Sequence, residues 1–333
     1  MHAFAYTQPA DIDAAVRAGA ASPTAQQGAS VRFLAGGTTL VDLMKLDVET
    51  PATVVDINRL GLDAIDDDDE GGLKIGALVR NSDLARDPRV LRDHAVLSQA
   101  LLSGASGQLR NMATTAGNLL QRTRCMYFRD VAHPCNKRTP GSGCPAIQGA
   151  NRMLAVLGTS EHCVATNPSD MNIALAALEA TVHIHGTNGA RSVAIADFFL
   201  PPGDTPHVEH VLAPGDLVTH VRLPAPVPGA RSHYLKLRDR ASYEFALMSA
   251  AVVVAMDGDR IGHVRVAMGG LGTVPWRMRE AEALLAGQAP SPALFARAGD
   301  AALADARPLS HNGFKPELAG RCLAAALAEV TRP

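Results

Sequence analysis

Cysteine is the residue type with the most uneven distribution in this chain. Four of the five cysteines are separated by nine, eight and eighteen residues, at Cys125, Cys135, Cys144 and Cys163. Four thiolates can bind zinc or an iron–sulfur cluster. Structural zinc sites usually contain cysteine pairs two to four residues apart, and this chain has none. The wide spacing therefore favours a bulkier cluster, whose negative charge the neighbouring Lys and Arg residues would offset.

Other interpretations of these cysteines stay open at this point. They could form two disulfides if the compartment is oxidising. They could also be free and buried, although a Pro- and Gly-rich stretch without a core pattern makes this the poorer interpretation. His133 and His162 lie near enough in the sequence to replace a ligand, but four cysteines already suffice.

A second chemical signal is a strand, a glycine turn and a helix in direct succession. The run 31–35 is typical of a strand, Gly36 and Gly37 follow, and apolar residues recur at helical spacing over 40–46. Backbone N–H groups at such a turn converge on an anion. Taken alone, the motif favours a plain tight turn with a Thr38 or Thr39 cap. It is neither a Walker loop nor the Gly-x-Gly-x-x-Gly dinucleotide motif.

Small residues dominate a third segment, at 103–107 and again at 110–118. Glycine, alanine, serine and threonine offer backbone donors with little bulk, which suits a flat or phosphorylated cofactor lying against the chain. A polar surface loop would explain the segment equally well. Its meaning therefore depends on the rest of the chain.

Composition limits the functions that these motifs can serve. The chain has 333 residues, a length that predicts two or three domains. Hydrophobic residues make up 47% of it, and its formal net charge is −2. A near-neutral charge with 4% aromatic residues argues against nucleic acid as the main partner. The sequence has no run of eighteen apolar residues, so it predicts no membrane-spanning helix. We find no secretion signal at the N-terminus.

The elements that must position these motifs alternate between strand and helix patterns. Residues 121–150 show no sustained periodicity, so something other than a regular core must hold them, or they are disordered. The Pro-rich stretch 224–229 indicates a linker. Beyond it, the patterns predict a separate C-terminal sheet followed by helices at 277–286 and 318–330.

Taken together, the motifs resemble the FAD-binding subunits of molybdenum hydroxylases, the xanthine dehydrogenase family. The run 35–45 resembles the family's pyrophosphate loop, and 75–79 with 110–118 resembles its second FAD segment. The family more often has glycine where this chain has Ala116. Residues 169–172 resemble a turn that contacts the flavin nucleotide. Later matches lie in a cofactor-facing strand and in the C-terminal domain, at 236–247 and 268–277.

This resemblance implies an α+β fold. It comprises a two-part FAD-binding domain of the vanillyl-alcohol-oxidase/PCMH type and a C-terminal α+β domain with a small sheet and helices. The implied bounds are 1–56 and 57–226 for the two FAD-binding subdomains, with a Cys-rich iron–sulfur insert at 119–166. Residues 227–333 form the implied CO-dehydrogenase-flavoprotein-like domain.

The resemblance also implies a set of FAD-binding residues. Backbone N–H groups of 35–40 would hold the diphosphate, and Asp170 would accept hydrogen bonds from hydroxyl groups of the nucleotide. Val218 would line the pocket beside the flavin, and Lys236 would favour a negatively charged reduced flavin. The full set is Arg32, Phe33, Leu34, Ala35, Gly36, Gly37, Thr38, Thr39, Leu40, Gly104, Thr114, Gly117, Asn118, Asp170, Val218 and Lys236.

The long insertion between Asn118 and Asp170 is similar to that of the periplasmic aldehyde oxidoreductase branch of the family. It implies a [4Fe–4S] cluster bound by Cys125, Cys135, Cys144 and Cys163. The implied function is electron transfer within a heterotrimer. A large molybdenum-cofactor subunit would oxidise aldehydes to carboxylic acids, and a small [2Fe–2S] subunit would pass electrons to FAD here and on to an external acceptor. No catalytic residue is expected in this chain.

Two other function classes are weighed against this one. The first is a structural docking module with a zinc or disulfide knot and no flavin. The second is a stand-alone FAD oxidase, which the lack of an identifiable acid/base pair disfavours. The resemblance implies a periplasmic location, reached on a partner's signal, with the cytoplasm as the alternative.

Overall fold

The computed structural model of the protein describes residues 1–332 and places its strands in three sheets. The first region contains a parallel sheet of three strands in the order β1-β3-β2. Its elements are β1 (Ala5–Thr7), α1 (Ile12–Ala20), β2 (Val31–Leu34), α2 (Leu40–Lys45) and β3 (Thr53–Asp56). Asp11 begins α1 by accepting a hydrogen bond from the Ala14 amide at 2.7 Å. The predicted strand, glycine turn and helix over 31–46 are therefore present.

The second region is built on an antiparallel sheet of five strands in the order β4-β5-β8-β6-β7. In β6, Val182 and Ile184 point into the core, whereas the alternating histidines are half-buried. Its strands are β4 (Ile65–Asp67), β5 (Leu73–Gly76), β6 (Thr181–Gly186), β7 (Gly189–Ala194) and β8 (Leu217–Leu223). Its helices are α3 (Asn81–Leu84), α4 (Pro88–Asp93), α5 (Ala95–Ser103), α6 (Gly107–Met112), α7 (Thr115–Leu119), α8 (Met126–Arg129), α9 (Asp170–Ala177) and α10 (Ile195–Phe198).

The third region contains an antiparallel sheet of four strands in the order β12-β11-β10-β9, with three helices. Its elements are β9 (Arg231–Leu237), β10 (Met248–Asp257), β11 (Arg260–Gly269), β12 (Trp276–Arg277), α11 (Arg279–Leu285), α12 (Pro292–Ala302) and α13 (Lys315–Val330). One face of β10 packs Val252 and Val254 against these helices. The other face packs Ala251 and Val253 into the core of the second region. Strand β10 therefore joins the two regions.

The cysteine-bearing insert contains little regular structure, as its sequence predicts. Between α7 and α9 it has only the four-residue helix α8 and one turn of 3₁₀-helix at Pro145–Ile147. The expectation that it lacks a core is wrong, because Phe128 and Leu154 pack with Cys125 against Leu43 of α2. The insert thus rests directly on the helix that follows the glycine turn.

The two ends of the insert lie side by side. The Ser169 hydroxyl donates to Asn118 Oδ1 at 2.8 Å, and Asn172 Nδ2 donates to the Leu119 carbonyl at 3.1 Å. Ser169 also caps α9 by accepting from the Asn172 amide. These contacts close the chain on both sides of the insertion.

A buried lysine fastens the second half of the insert to the third region. Lys315 Nζ donates to the carbonyls of Leu154 at 2.9 Å and Gly270 at 2.6 Å. Asn312 Nδ2 adds a hydrogen bond to Leu154 O at 3.2 Å. Burial lowers the pKa of Lys315 to about 7, because the charged ammonium loses water that two carbonyls replace only in part.

The segment 103–118 is not a loop, because it contains α6 and α7. The domain bounds at 56 and 226 stay predictions, and Pro333, which ends the last predicted domain, lies outside the described residues. Within residues 1–332, no helix is long and apolar enough to cross a membrane.

Candidate functional site

The glycine turn lies against the end of α6, with no room for a side chain at its first glycine. A Cβ on Gly36 would come within 1.9 Å of the Met112 carbonyl oxygen. Gly37 has φ +73°, the left-handed region that favours glycine. Thr39 stands at the N-cap of α2, but its hydroxyl makes no capping hydrogen bond. The Thr39 hydroxyl is therefore not needed to begin the helix and remains available to a ligand.

The segment 114–118 closes the opposite side of the same space. Thr114 is fully buried, and its Oγ1 accepts a hydrogen bond from the Gly117 amide at 3.2 Å, which begins α7. The Thr115 and Ala116 amides donate to Val79 and Ala77 carbonyls at 2.9 Å each. Main-chain hydrogen bonds thus hold this segment opposite the glycine turn.

Between these walls lies a cleft of about 1250 Å³, a volume that includes its opening to solvent, and we refer to it below as the dinucleotide cleft. Most of the predicted FAD-binding residues line it: Arg32, Phe33, Ala35, Gly36, Gly37, Thr38, Thr39, Leu40, Thr114, Gly117 and Val218. Leu34 does not line it, and its carbonyl instead accepts from the Ile57 amide at 3.0 Å. Residues far apart in the sequence therefore meet around one space.

A second cavity of about 1100 Å³ shares Thr38, Thr39 and Gly117 with the cleft. The remaining predicted FAD-binding residues line it, namely Gly104, Asn118, Asp170 and Lys236. The two cavities together bring fifteen of the sixteen predicted residues to one continuous region. Cations outnumber carboxylates around this second cavity, with Arg110, Arg124, Lys236 and Arg240 facing Asp170 and Glu244.

Asp170 and Lys236 form a buried ion pair in this second cavity. Lys236 Nζ lies 2.7 Å from Asp170 Oδ2 and also donates to the Ser103 carbonyl at 3.1 Å. Tyr234 donates its hydroxyl to Asp170 Oδ1 at 2.6 Å. Burial and the neighbouring carboxylate raise the pKa of Tyr234 well above its usual range. Both carboxylate oxygens thus have partners within the protein, which fixes the Lys236 ammonium at the cavity wall.

A network of charged side chains forms another wall of the cleft. Glu49 pairs with Arg32 at 2.9 Å and Arg122 at 2.5 Å, and Glu209 pairs with Arg122 and with Lys137 at 2.9 Å. Burial alone would raise the pKa of Glu209, but attraction to Arg122 and Lys137 outweighs it and lowers the value to about 2. Glu209 is therefore ionised at neutral pH.

All four predicted cysteine ligands line one small cavity of about 290 Å³. Asn136 brings their loops together, because its side chain accepts from the Gly143 amide at 2.7 Å and donates to the His162 carbonyl at 3.1 Å. All five cysteines are free thiols. His162 lines the cavity and His133 does not. Within residues 1–332, no group of three or more His, Cys, Asp or Glu side chains is arranged so that it could hold one metal ion.

Four cysteine thiols around one buried cavity are a donor set that can bind a metal centre through sulfur. Burial raises the pKa of Cys125 to about 12, and it also raises the pKa of Cys144 and Cys163. Such thiols stay protonated at neutral pH until a metal displaces the protons. Lys137 lines the same cavity and lowers the cost of thiolate charge. The residues present therefore fit a thiolate-bound group.

Some residues that build this site are absent from the sequence-based prediction. Glu49 and Glu209 supply the carboxylates of the charged wall, yet neither lies in a recognisable motif. Gln26 orders the loop before β8, because its Nε2 donates to the carbonyls of His210 and Leu212. A local signal could not reveal these contacts, since their partners are distant in sequence.

Comparison with known proteins agrees with this geometry. The family described as FAD binding domain in molybdopterin dehydrogenase matches residues 2–226, and the CO dehydrogenase flavoprotein C-terminal domain matches residues 233–330. The structure is similar to that of a Cu,Mo-CO dehydrogenase in its cyanide-inactivated form. The TM-score is 0.77 at 24% identity, covering 98% of this chain and 97% of that one. The predicted α+β fold class is confirmed.

Two relatives extend the comparison. The chain is 54% identical over 311 residues to the aldehyde oxidoreductase FAD-binding subunit PaoB of Escherichia coli (strain K12), covering 93% of this chain and 94% of the relative. It is 29% identical over 253 residues to the glyceraldehyde dehydrogenase medium chain of Sulfolobus acidocaldarius, covering 76% of this chain and 72% of that one. This chain therefore belongs to the oxidoreductase family of FAD-binding subunits of molybdenum hydroxylases, as its motifs predict.

Proposed function

We propose that this chain is the FAD- and [4Fe–4S]-containing electron-transfer subunit of an aldehyde-oxidising molybdenum enzyme. The observation that carries the proposal is that the walls of the dinucleotide cleft and the four cysteines form adjacent sites in one chain. The 54% identity to an aldehyde oxidoreductase FAD-binding subunit supports the substrate class. In this proposal, a large molybdenum-cofactor subunit oxidises the aldehyde to a carboxylic acid. A small [2Fe–2S] subunit passes the electrons to this chain, which delivers them to an external acceptor.

The residues of the cleft would bind and orient FAD. Backbone N–H groups at the glycine turn would hold the diphosphate, since Gly36 and Gly37 line the cleft and have no side chains of their own to cover the main chain. Thr38 and Thr39 have hydroxyls available for hydrogen bonds. When bound, FAD supplies the redox chemistry, and the protein supplies position and electrostatics.

Lys236 would place a positive charge beside the flavin. Its side chain is 3% exposed, and Asp170 and the Ser103 carbonyl hold its ammonium, so it does not depend on solvent for its position. A fixed cation favours an anionic partner more than a neutral one. In this role Lys236 stabilises negative charge on the reduced cofactor, and Asp170 acts through it.

The four cysteines would hold the iron–sulfur centre, which supplies one-electron chemistry when bound. Their thiols lie in a buried cavity, and Lys137 offers charge compensation. The insert is braced by the Lys315 and Asn312 hydrogen bonds on one side and by α2 on the other. This bracing keeps the ligands together in a segment that has little regular structure of its own.

Metal and flavin analysis of the native complex tests the proposal. We expect the chain to co-purify with a molybdenum-containing large subunit and an iron–sulfur small subunit, and aldehyde to bleach the flavin absorbance of the complex. A Cys125→Ser variant should lose the iron of this chain. Cys322→Ser is the matched control, because Cys322 is also buried but lies in the core of the third region.

Other outcomes would favour the competing functions. Zinc in place of iron, with no flavin, would support a docking module. Aldehyde oxidation by the isolated chain would support a stand-alone oxidase. The periplasmic location also stays a proposal, and cell fractionation of the assembled complex would check it.

A further inference from the structure

The carbonyl side of the glycine turn is held by an asparagine that lies outside the dinucleotide cleft. Asn58 Nδ2 donates hydrogen bonds to the carbonyls of Ala35 at 2.9 Å and Leu34 at 3.3 Å. Asn58 does not line the cleft, although the preceding residue, Ile57, does. Within residues 1–332, Asn58 is the one donor to the Ala35 carbonyl, whereas the Leu34 carbonyl also accepts from the Ile57 amide. The asparagine therefore holds the peptide group between Ala35 and Gly36.

The orientation of this peptide group decides where the Gly36 amide points. In a trans peptide the C=O and N–H groups point in opposite directions, and every peptide bond described here is trans. Because Asn58 holds the carbonyl, the Gly36 N–H points away from Asn58, and Gly36 itself lines the cleft. Within residues 1–332, none of the amides of 36–39 donates to a main-chain carbonyl, so these donors remain for a ligand.

Neighbouring groups fix the orientation of the Asn58 side chain. Its Nδ2 also donates to Asp56 Oδ1 at 2.7 Å, and its main-chain amide donates to the same oxygen at 2.9 Å. The two carbonyls and the Asp56 carboxylate are all acceptors, so only the NH₂ end of the side-chain amide can face them. Tyr6 and Gln8 donate to the other Asp56 oxygen. Burial alone would raise the pKa of Asp56, but these hydrogen bonds outweigh it and lower the value, which keeps the carboxylate ionised.

Arg80 connects the same asparagine to the other side of the turn. Its Nη1 donates to the Met112 carbonyl at 2.5 Å, and its Nη2 lies 3.5 Å from Asn58 Oδ1. The Met112 carbonyl is the group against which Gly36 packs. Neither Arg80 nor Asn58 lines the cleft or the second cavity. Together they hold the glycine turn and the end of α6 in place from outside both cavities.

We propose that Asn58 is a positioning residue for the dinucleotide, and that Arg80 supports it from the opposite wall. Asn58 keeps the peptide groups of the glycine turn in the orientation that presents their amides to the diphosphate. Such preorganisation strengthens binding, because the turn does not have to be ordered when the ligand arrives. This inference rests on the proposed function, which has the diphosphate bound at these amides.

Flavin fluorescence titration of the full chain and its Asn58 variants tests the inference. Asn58 is exposed, so water can replace its side chain at the two carbonyls, and Asn58→Ala should fold and bind FAD about tenfold more weakly. Asn58→Asp keeps the size of the side chain but presents an acceptor to three acceptors, so it should lose at least as much affinity. Asn188→Ala, in the turn between β6 and β7, is the exposed control and should bind FAD like the wild type. Arg80→Gln should lower the affinity severalfold, and it replaces Asn58→Ala if that variant does not fold.

Phosphorus NMR of bound FAD separates a positioning role from a structural one. At saturating FAD, the diphosphate resonances of Asn58→Ala should shift from those of the wild type, because the amide donors around them have changed direction. The absorption band of the flavin should stay in place, since the Asp170 and Lys236 pair is untouched. A substitution that only destabilised the chain would leave the diphosphate resonances unchanged once FAD is saturating. Circular dichroism checks the fold of each variant.

Three results would overturn the inference. An FAD affinity of Asn58→Ala within about twofold of the wild type would show that the turn is positioned without Asn58, while the proposed function stands. Weaker binding with unchanged diphosphate resonances would assign a purely structural role to Asn58. A folded wild type that binds no FAD would overturn the proposed function as well, and the wild-type titration identifies that case before any variant is made.

Discussion

The dinucleotide cleft and the cysteine-bearing insert are neighbours that are built in opposite ways. The cleft is shaped by main chain, as in the contact of Gly36 with the Met112 carbonyl and the hydrogen bonds that join 114–116 to 77–79. The insert is held by side chains, chiefly Asn136 and Lys315. Substitutions should therefore damage the cleft where bulk is added and the insert where a polar side chain is lost.

The largest effect should come from adding one methyl group to the cleft. Gly36→Ala places a Cβ against a backbone carbonyl, and relieving such overlap typically costs about 1–3 kcal/mol. Because the displaced turn faces the proposed diphosphate, we expect FAD affinity to fall about 10- to 100-fold. Flavin titration measures it. Gly107→Ala is the control, since its Cβ would meet nothing within 4 Å, and an equal loss in both variants would contradict the steric explanation.

A smaller effect should follow removal of the amine that fastens the insert. The pKa of Lys315 is about 7 in the folded protein and near 10.5 in the unfolded chain. Between these values the unfolded chain binds the proton more tightly, so this group makes the free energy of unfolding rise with pH. From pH 7 to 9 the wild type should gain about 2 kcal/mol relative to Lys315→Met.

Denaturant unfolding of both proteins at several pH values measures this difference. Taking the difference removes the contribution of the cysteine thiols, which titrate in both proteins. The sign is specific, because an ordinary surface lysine would give no rise below pH 9. Parallel curves for the two proteins would show that the insert is not held by a desolvated amine.

The smallest effect is a difference in stability between alanine variants of two threonines in the cleft. Thr114→Ala removes the N-cap of α7 and should lower the free energy of unfolding by about 1 kcal/mol. Thr39→Ala removes no capping hydrogen bond and should change stability by less than about 0.5 kcal/mol. Thr39 lines the cleft, so Thr39→Ala should lower FAD affinity severalfold instead. Denaturant unfolding and flavin titration together check the pair, and equal stability losses would contradict it.

The difference between contacts among neighbouring residues and contacts between distant segments explains which features the sequence predicts. The strand, turn and helix over 31–46 are determined by neighbouring residues, so their pattern is visible locally. The family motifs then relate distant segments that meet around the cleft. Helix α12 was missed although Ser291 caps it and Pro292 opens it, a start signal that local inspection could have used. Helix α6 was missed because glycine begins it, and its Ser106 cap outweighs that weak propensity.

The network of charged side chains at the cleft wall shows what local patterns cannot reveal. Glu209 lies in the connection between α10 and β8, far in sequence from Arg122 and Lys137. No periodicity distinguishes it from the other acidic residues of the chain. Its importance comes from burial between two cations, which only the tertiary fold creates.

The hydrogen bonds from Ser169 to Asn118 and from Asn172 to Leu119 have a consequence for how such a chain can change over time. Because of them, the segment 119–168 leaves the second region and returns to it at the same place. Because closing a longer loop costs little extra entropy, the length of this segment can change while its two ends stay together. A change of length between 119 and 168 would therefore alter the segment that carries the four cysteines before it altered the residues that close it, Asn118 and Ser169.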